Sequence, residues 1–273
     1  MKYFLYFACL FIFSCSRVEL IYKFAPKIIA DQADDAFDFK SERYKKIRHQ
    51  IESDLKINKK VIVQNINELL DVLISLSKKR SLISKDFQDL SLVIREKQKI
   101  LVYLFKPSFE ELILNVNKAE IEKLNLFSEK IFEENDRFLK GKKPFVKKRV
   151  DGFSKLMNYF FDDTTEEQKK IYGIFIENNW SYFQSQATAR KEFMTRFGWP
   201  ILNRENLNDY VLKYYSSDPS TRLSKYADEL LIFEKNLIEL QSALWLTITE
   251  EQKIYFQTKL KTLKIELLKL AEK

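Results

Sequence analysis

Few side chains in this sequence can carry covalent or proton-transfer chemistry, and the first of them is Cys15. It closes the run Tyr3 to Cys15, YFLYFACLFIFSC, an apolar stretch behind Lys2 that ends in Ile12-Phe13-Ser14-Cys15. A thiol directly after a small residue, at the end of a secretory apolar region, is the acceptor arrangement of a bacterial lipoprotein signal. There the sulfur takes a diacylglyceryl group in thioether linkage before the signal is cut away. Ser14 supplies the small residue at the cut, bulky Phe13 is tolerated, and Ser16 is of the class that permits onward sorting to an outer membrane. The run is well short of the ~20 residues that span a hydrocarbon core, so a cleaved signal over residues 1–14 is expected rather than a spanning helix. The competing reading makes Cys15 one more apolar residue of an uncleaved anchor. Cys9 lies inside the signal and leaves with it, so the mature chain keeps no other thiol.

The remaining candidates fall short of a catalytic set. His49 is the only histidine, so nucleophilic schemes that pair it with Cys or with Ser and Asp rest on one residue, and zinc ligation by Cys and His lacks its ligands. His49 is read as an ordinary surface or boundary residue of a helix. The acid pairs Asp34/Asp35, Asp162/Asp163 and Glu250/Glu251 have the chemistry for acid-base or metal work, but each stands at an expected helix start, where the dipole favours acids. Four scattered glycines supply no phosphate loop. No metal and no cofactor other than the covalent lipid on Cys15 is expected, and no small-molecule substrate.

Three further groups bear on binding. Lys140, Lys142, Lys143, Lys147, Lys148 and Arg149 form a basic cluster that either docks on anionic head groups or lipopolysaccharide or is simply a solvated joint between helices. Tyr172, Phe175, Trp180, Tyr182 and Phe183 are the richest candidate surface for a protein partner, with burial in a core as the other reading. Last, Thr-Glu-Glu-Gln-Lys occurs at 165–169 and again at 249–253, and Ser41-Glu-Arg-Tyr44 and Asn117-Lys-Ala-Glu120 occupy comparable places before other apolar runs. Thr165 with Gln168, and Thr249 with Gln252, have capping-box spacing, in which the two side chains satisfy each other's orphan backbone donors. A functional reading makes these turns the equivalent tips of repeated helical hairpins.

The elements that must position these groups are helices. In 273 residues, 45% hydrophobic and 32% charged, only four Gly and five Pro leave little turn material for an all-β protein, and the hydrophobic content is ample for a core. Ile47, Ile51, Leu55, Ile62, Ile66, Leu69, Leu73 and Leu76 step by threes, fours and one seven, which predicts one long amphipathic helix from Ser41. Phe87, Leu90, Ile94, Leu101 and Leu104 predict a second, closed by Pro107 and antiparallel to the first. A third runs from Asn117 to the Gly141/Pro144 joint, and Val146 to Phe161 carry the period on. Thr165 to Phe197 reads as one long helix stopped by Gly198 and Pro200, then Leu207 to Tyr214, Ser220 to Leu246 and Thr249 to Lys273 follow. Residues 15–40 read as a lipidated start, a short helix interrupted by Pro26, and a connector. Residues 41–273 form an elongated all-α bundle with a soft division near 141–144. Loss of Lys2 with the signal leaves 46 basic against 39 acidic residues, a charge of +7.

Cys15-Ser16-Arg17-Val18-Glu19-Leu20-Ile21-Tyr22 resembles the start of an uncharacterised family of all-helical bacterial lipoproteins that open CSRxELxY. The order that follows is similar too: an acidic-aromatic connector at Phe37 to Phe39, a long helix, a central T-x-x-Q turn and a last TEEQ helix. This chain has FAPKIIADQADDAFDF where that family carries a tryptophan-rich connector, and its first turn lacks the Gln. A weaker similarity joins the TEEQ turns to the LTxxQ motif of envelope chaperones of the Spy and CpxP type, although here the leucine, Leu246, is displaced by one place. These resemblances imply a lipoprotein and an all-α fold and bring no reaction with them. The expected role is a binding, scaffold or chaperone-like one toward an envelope protein or client, with the membrane reached through the lipid and no nucleic acid. The second reading is an envelope hydrolase whose carboxylates converge only in the fold.

Overall fold

The computed structural model describes residues 17–197, 204–216, 218, 221 and 224–272. They are all-α, eleven helices with no strand among the described residues. In order these are α1 (Arg17–Phe37), α2 (Ser41–Ser77), α3 (Ser84–Leu104), α4 (Lys106–Leu114), α5 (Lys118–Leu139), α6 (Lys142–Phe161), α7 (Glu166–Asn178), α8 (Trp180–Phe197), α9 (Arg204–Tyr215), α10 (Ser224–Leu246) and α11 (Glu250–Glu272). The signal residues Ile12, Phe13, Ser14, Cys15 and Ser16, and the Gly198/Pro200 stop, lie outside the described residues. Among the described residues no helix is long and apolar enough to cross a membrane.

The spine is α2, whose 37 residues span about 55 Å at 1.5 Å per residue. Of its predicted stripe, Ile47, Ile51, Leu55 and Ile62 are buried and Ile66, Leu69, Leu73 and Leu76 are half-buried against the cores, while Val63 and Leu70, outside the predicted set, are buried as well. Three helices lie antiparallel along it, and the polar contacts record the direction. On α1, Tyr22 Oη donates to the Leu55 carbonyl and Tyr44 Oη to Asp31 at 2.6 Å. On α3, Lys97 pairs with Glu68, while Asn58 Nδ2 donates to the Leu104 carbonyl at 3.1 Å. On α11, Gln257 Nε2 reaches the Ser77 carbonyl at 3.0 Å and Lys264 pairs with Asp71. The α2–α3 hairpin is therefore as the periodicity predicts, whereas the seam with α11 joins residues almost two hundred positions apart. That seam has its own core: Val63 and Leu70 of α2 pack with Leu260, Leu263, Leu267 and Leu270 of α11 and Val18 of α1.

Four details differ from the sequence expectation. Pro26 does not interrupt α1, which runs unbroken to Phe37. A mid-helix proline costs about 3 kcal/mol or more, and here the helix is held on both sides of it, with Pro26, Ala25 and Ala30 buried. Helix α3 ends at Leu104 as expected, but Pro107 also opens a further helix: it sits in the first turn of α4, where its missing N–H is no loss, and Asp54 from α2 accepts the Ser108 backbone N–H and hydroxyl at 3.0 and 2.6 Å. The helix expected over Thr165 to Phe197 is divided at Asn179 into α7 and α8. There φ −104 and ψ 25 leave helical geometry, and the Asn179 side chain donates to the Phe175 carbonyl at 2.8 Å and accepts from Asn236 Nδ2 at 2.8 Å. Ile94 is exposed, off the buried face of α3.

Candidate functional site

The helix-start turns singled out by the sequence are not separate tips. Both boxes form as expected: Thr165 N–H donates to Gln168 Oε1 at 3.0 Å and Gln168 N–H to Thr165 Oγ1 at 3.2 Å, and the Thr249/Gln252 pair repeats this at 3.1 and 3.1 Å. A capping box occupies only the carbonyl oxygen of each glutamine and leaves the NH2 group. Gln168 is 0% and Gln252 3% exposed, so those donors need partners inside the protein. They find them in each other's turn. Gln168 Nε2 donates to the Thr247 carbonyl at 3.2 Å and to Gln252 Oε1 at 3.0 Å, while Gln252 Nε2 donates to the Asp163 carbonyl at 3.2 Å and to Asp163 Oδ1 at 2.8 Å. Asp163 stands two places before Thr165, and Thr247 two before Thr249. The two turns thus clasp each other with near two-fold symmetry, and α6 packs on α11 as α7 packs on α10.

The same plan recurs in the first half of the chain with charged residues. Asn117 and Glu120 form a capping box at α5, with bonds of 3.0 and 2.9 Å. Arg43, third residue of α2, crosses to it: its guanidinium lies 3.3 Å from Glu120 Oε1, donates to the Asn115 carbonyl, which again precedes the cap by two, and donates to the Leu112 carbonyl at 2.9 Å. Phe39 lies under the guanidinium at 5.4 Å. Here α1 packs on α5 as α2 packs on α4. The helices entering the first turn of each joint, α1 and α6, end alike in Phe-Asp, and Asp38 and Asp162 are the non-glycine residues with positive φ among the described residues, at 53° and 76°. Residues before and after Gly141 therefore share one architecture: two hairpins held tip to tip by the third residue of a helix.

The other singled-out residues take structural places. The five aromatics do not form a surface: Phe175, Tyr182 and Phe183 are buried and Tyr172 and Trp180 half-buried in a core with Phe145, Ile176 and Leu240. Tyr182 stacks on Phe233 at 3.8 Å, Trp180 meets Phe145 edge-on at 5.1 Å, and burial pushes the Tyr182 phenol far above its ordinary range. The partner face expected there is corrected accordingly, because large rings at helical spacing found one another. In the basic cluster, Lys140, Lys142, Lys143, Lys147 and Lys148 are exposed around the α5–α6 joint, while Arg149 is half-buried, with its guanidinium 4.8 Å from the Phe145 ring and 5.1 Å from Phe183. His49 is exposed on α2. Of the acid pairs, Asp162 and Asp163 belong to the glutamine joint and Glu250 pairs with Lys253 at 2.8 Å at the start of α11, whereas Asp34 and Asp35 stand in the last turn of α1 and not at a helix start, and Asp34 accepts the Phe39 N–H at 2.9 Å.

Among the described residues no group of three or more His, Cys, Asp or Glu side chains is placed to hold a metal ion. An open cleft of about 420 Å³ lies between α5 and α8, and its one acid, Asp136, sits among Phe132, Leu139, Gln184 and Lys191. Sequence reading placed Arg43 and Glu120 in helix starts comparable to the glutamine turns but gave them no role, and it missed Asp54. The signal for Arg43 and Glu120 was their shared position, three residues into a helix. No protein-family model, no curated protein and no solved structure matches the chain.

Proposed function

We propose that this chain is a lipid-anchored helical protein of the bacterial envelope that acts by binding, as a scaffold or in a chaperone-like way, and not by catalysis. The observation that carries this reading is the commitment of its chemically capable side chains. Gln168, Gln252, Arg43, Glu120 and Asp163 hold helices together, and the acids at helix starts serve caps and ion pairs. The anchor rests on Ile12-Phe13-Ser14-Cys15, with Ser16 favouring an outer membrane, periplasmic side. The exposed lysines from Lys140 to Lys148 offer a contact for an acidic partner or head group. The hydrolase reading calls for several carboxylates in one pocket, and the α5–α8 cleft brings one.

Lipid labelling of wild type and Cys15→Ser, with N-terminal mass analysis, tests the anchor. The wild type takes up label and begins at a modified Cys15, since a diacylglyceryl thioether and an N-acyl chain exceed the two signals that stable anchoring requires. Cys15→Ser takes up no label and keeps its signal. A mature wild-type chain with an unmodified Cys15 refutes the anchor and the localisation together.

A further inference from the structure

We infer that the first half of α1 is itself a membrane contact, lying along the head-group region of the leaflet that holds the anchor. This rests on the lipidation of Cys15 proposed above. Among the exposed residues of this half, Leu20, Lys23, Phe24 and Lys27 are spaced i, i+3, i+4 and i+7 and form one stripe on the helix, with the exposed Glu19 at its edge. Leu20 is 46% and Phe24 49% exposed, on a helix whose Val18, Ala25 and Pro26 are buried away from them. Two lysines alternating with two large apolar residues is the composition of an interfacial helix face: rings and branched chains enter the head-group boundary while ammonium groups stay at the phosphates.

Charge runs the right way along the helix. The tether-proximal half carries Lys23 and Lys27 beside the exposed Glu19, whereas the distal end holds Asp31, Asp34, Asp35 and Asp38. Lys27 is paired with Asp31 at 2.5 Å, at the point where the sign changes. An anionic leaflet attracts the first end and repels the second, which tilts α1 with Leu20 low and Phe37 high. Geometry leaves little freedom: Cys15 precedes Arg17 by two residues, a reach of about 7 Å even when extended, and Leu20 stands about 5 Å further along the helix. A residue this close to the acyl chains meets the surface at high effective concentration, so even a weak stripe is engaged.

The test uses the lipidated full-length mature chain in vesicles of phosphatidylethanolamine and phosphatidylglycerol. Phe24→Cys, Leu20→Cys and, as a remote exposed control on α10, Leu231→Cys are labelled with an environment-sensitive thiol dye, and quenching by brominated lipid is measured. A thioether at Cys15 leaves the introduced cysteine as the sole reactive thiol of the mature chain. Quenching severalfold stronger at 20 and 24 than at 231, and weakened by Lys23→Glu with Lys27→Glu, is the expected result. Equal quenching at all three sites with Cys15 unreactive overturns the membrane contact and leaves the anchor standing. Dye at 24 that is shielded from aqueous quencher yet untouched by brominated lipid means that a protein covers the stripe, and overturns it too. Labelling of Cys15 itself overturns the anchor and this inference together.

Discussion

Gln168 and Gln252 each serve two helices with a single amide: the oxygen closes the cap of its own helix and the NH2 group holds the carbonyl end of the opposite turn. Alanine at either position removes a cap acceptor and a donor to the part-buried turn opposite, with an expected cost of about 1–3 kcal/mol. Because the two share partners, the double mutant should lose less than the sum, with a coupling of about 0.5–3 kcal/mol in urea denaturation. Strict additivity would mean that the two boxes act as independent caps. Thr165→Ala, which touches one cap, should cost only about 0.5–2 kcal/mol. The boxes were legible because a Thr three residues before a Gln is a local pattern. The clasp was not, since it joins residues 84 positions apart, and only the leftover amide donors hinted at it.

Helices declare themselves through spacing, and most boundaries here were readable from it, α2 and α11 above all. Breaks were harder, because a single side chain decides them: Asn179 ends α7 by bonding the Phe175 carbonyl, while Pro26, a stronger breaker in isolation, is overridden by burial. The attachment of α1 to α2 offers a test of how such a helix is held. Burial raises the Tyr22 phenol from 10.0 to about 12, and its hydroxyl bonds the Leu55 carbonyl. The folded value lies above the unfolded one, so this stabilisation is complete below pH 10 and is lost as pH rises through about 12. Hydrogen exchange of α1 should therefore speed up over that window in wild type. Tyr22→Phe should be weaker at neutral pH and lack this extra alkaline loss. An unchanged alkaline profile in Tyr22→Phe would assign the loss to other groups.

Two halves of like design meet at Gly141, yet they are not independent bodies. Arg95 of α3 pairs with Glu234 of α10 at 2.7 Å, α5 packs on α6 and α8, and the α2–α11 seam is a core in its own right. The soft division read at 141–144 marks a repeat of plan, and the sequence could show it only faintly because Gln–Gln in one joint is replaced by Arg–Glu in the other. All three tryptophans, Trp180, Trp199 and Trp245, follow residue 141, with Trp245 packed against Leu82, Phe87 and Leu90 of the first half, so their fluorescence reports the second half and its contact with the first while far-ultraviolet dichroism reports every helix. The shared seam predicts coincident urea transitions by the two probes. A fluorescence transition displaced from the loss of helix would show that the halves unfold separately.

The seam between α2 and α11 also dictates an order of assembly. Val63 and Leu70 are made almost two hundred positions before their partners Leu260, Leu263, Leu267 and Leu270, so a chain growing from its amino end carries an open apolar groove until α11 is made. Contacts of such high sequence separation slow folding, and a bare groove is a route to association between unfinished chains. Helix α11 is therefore a closing piece for α2: until it is made and laid back along the spine, the first half has its joint and its turns but lacks this seam of its core.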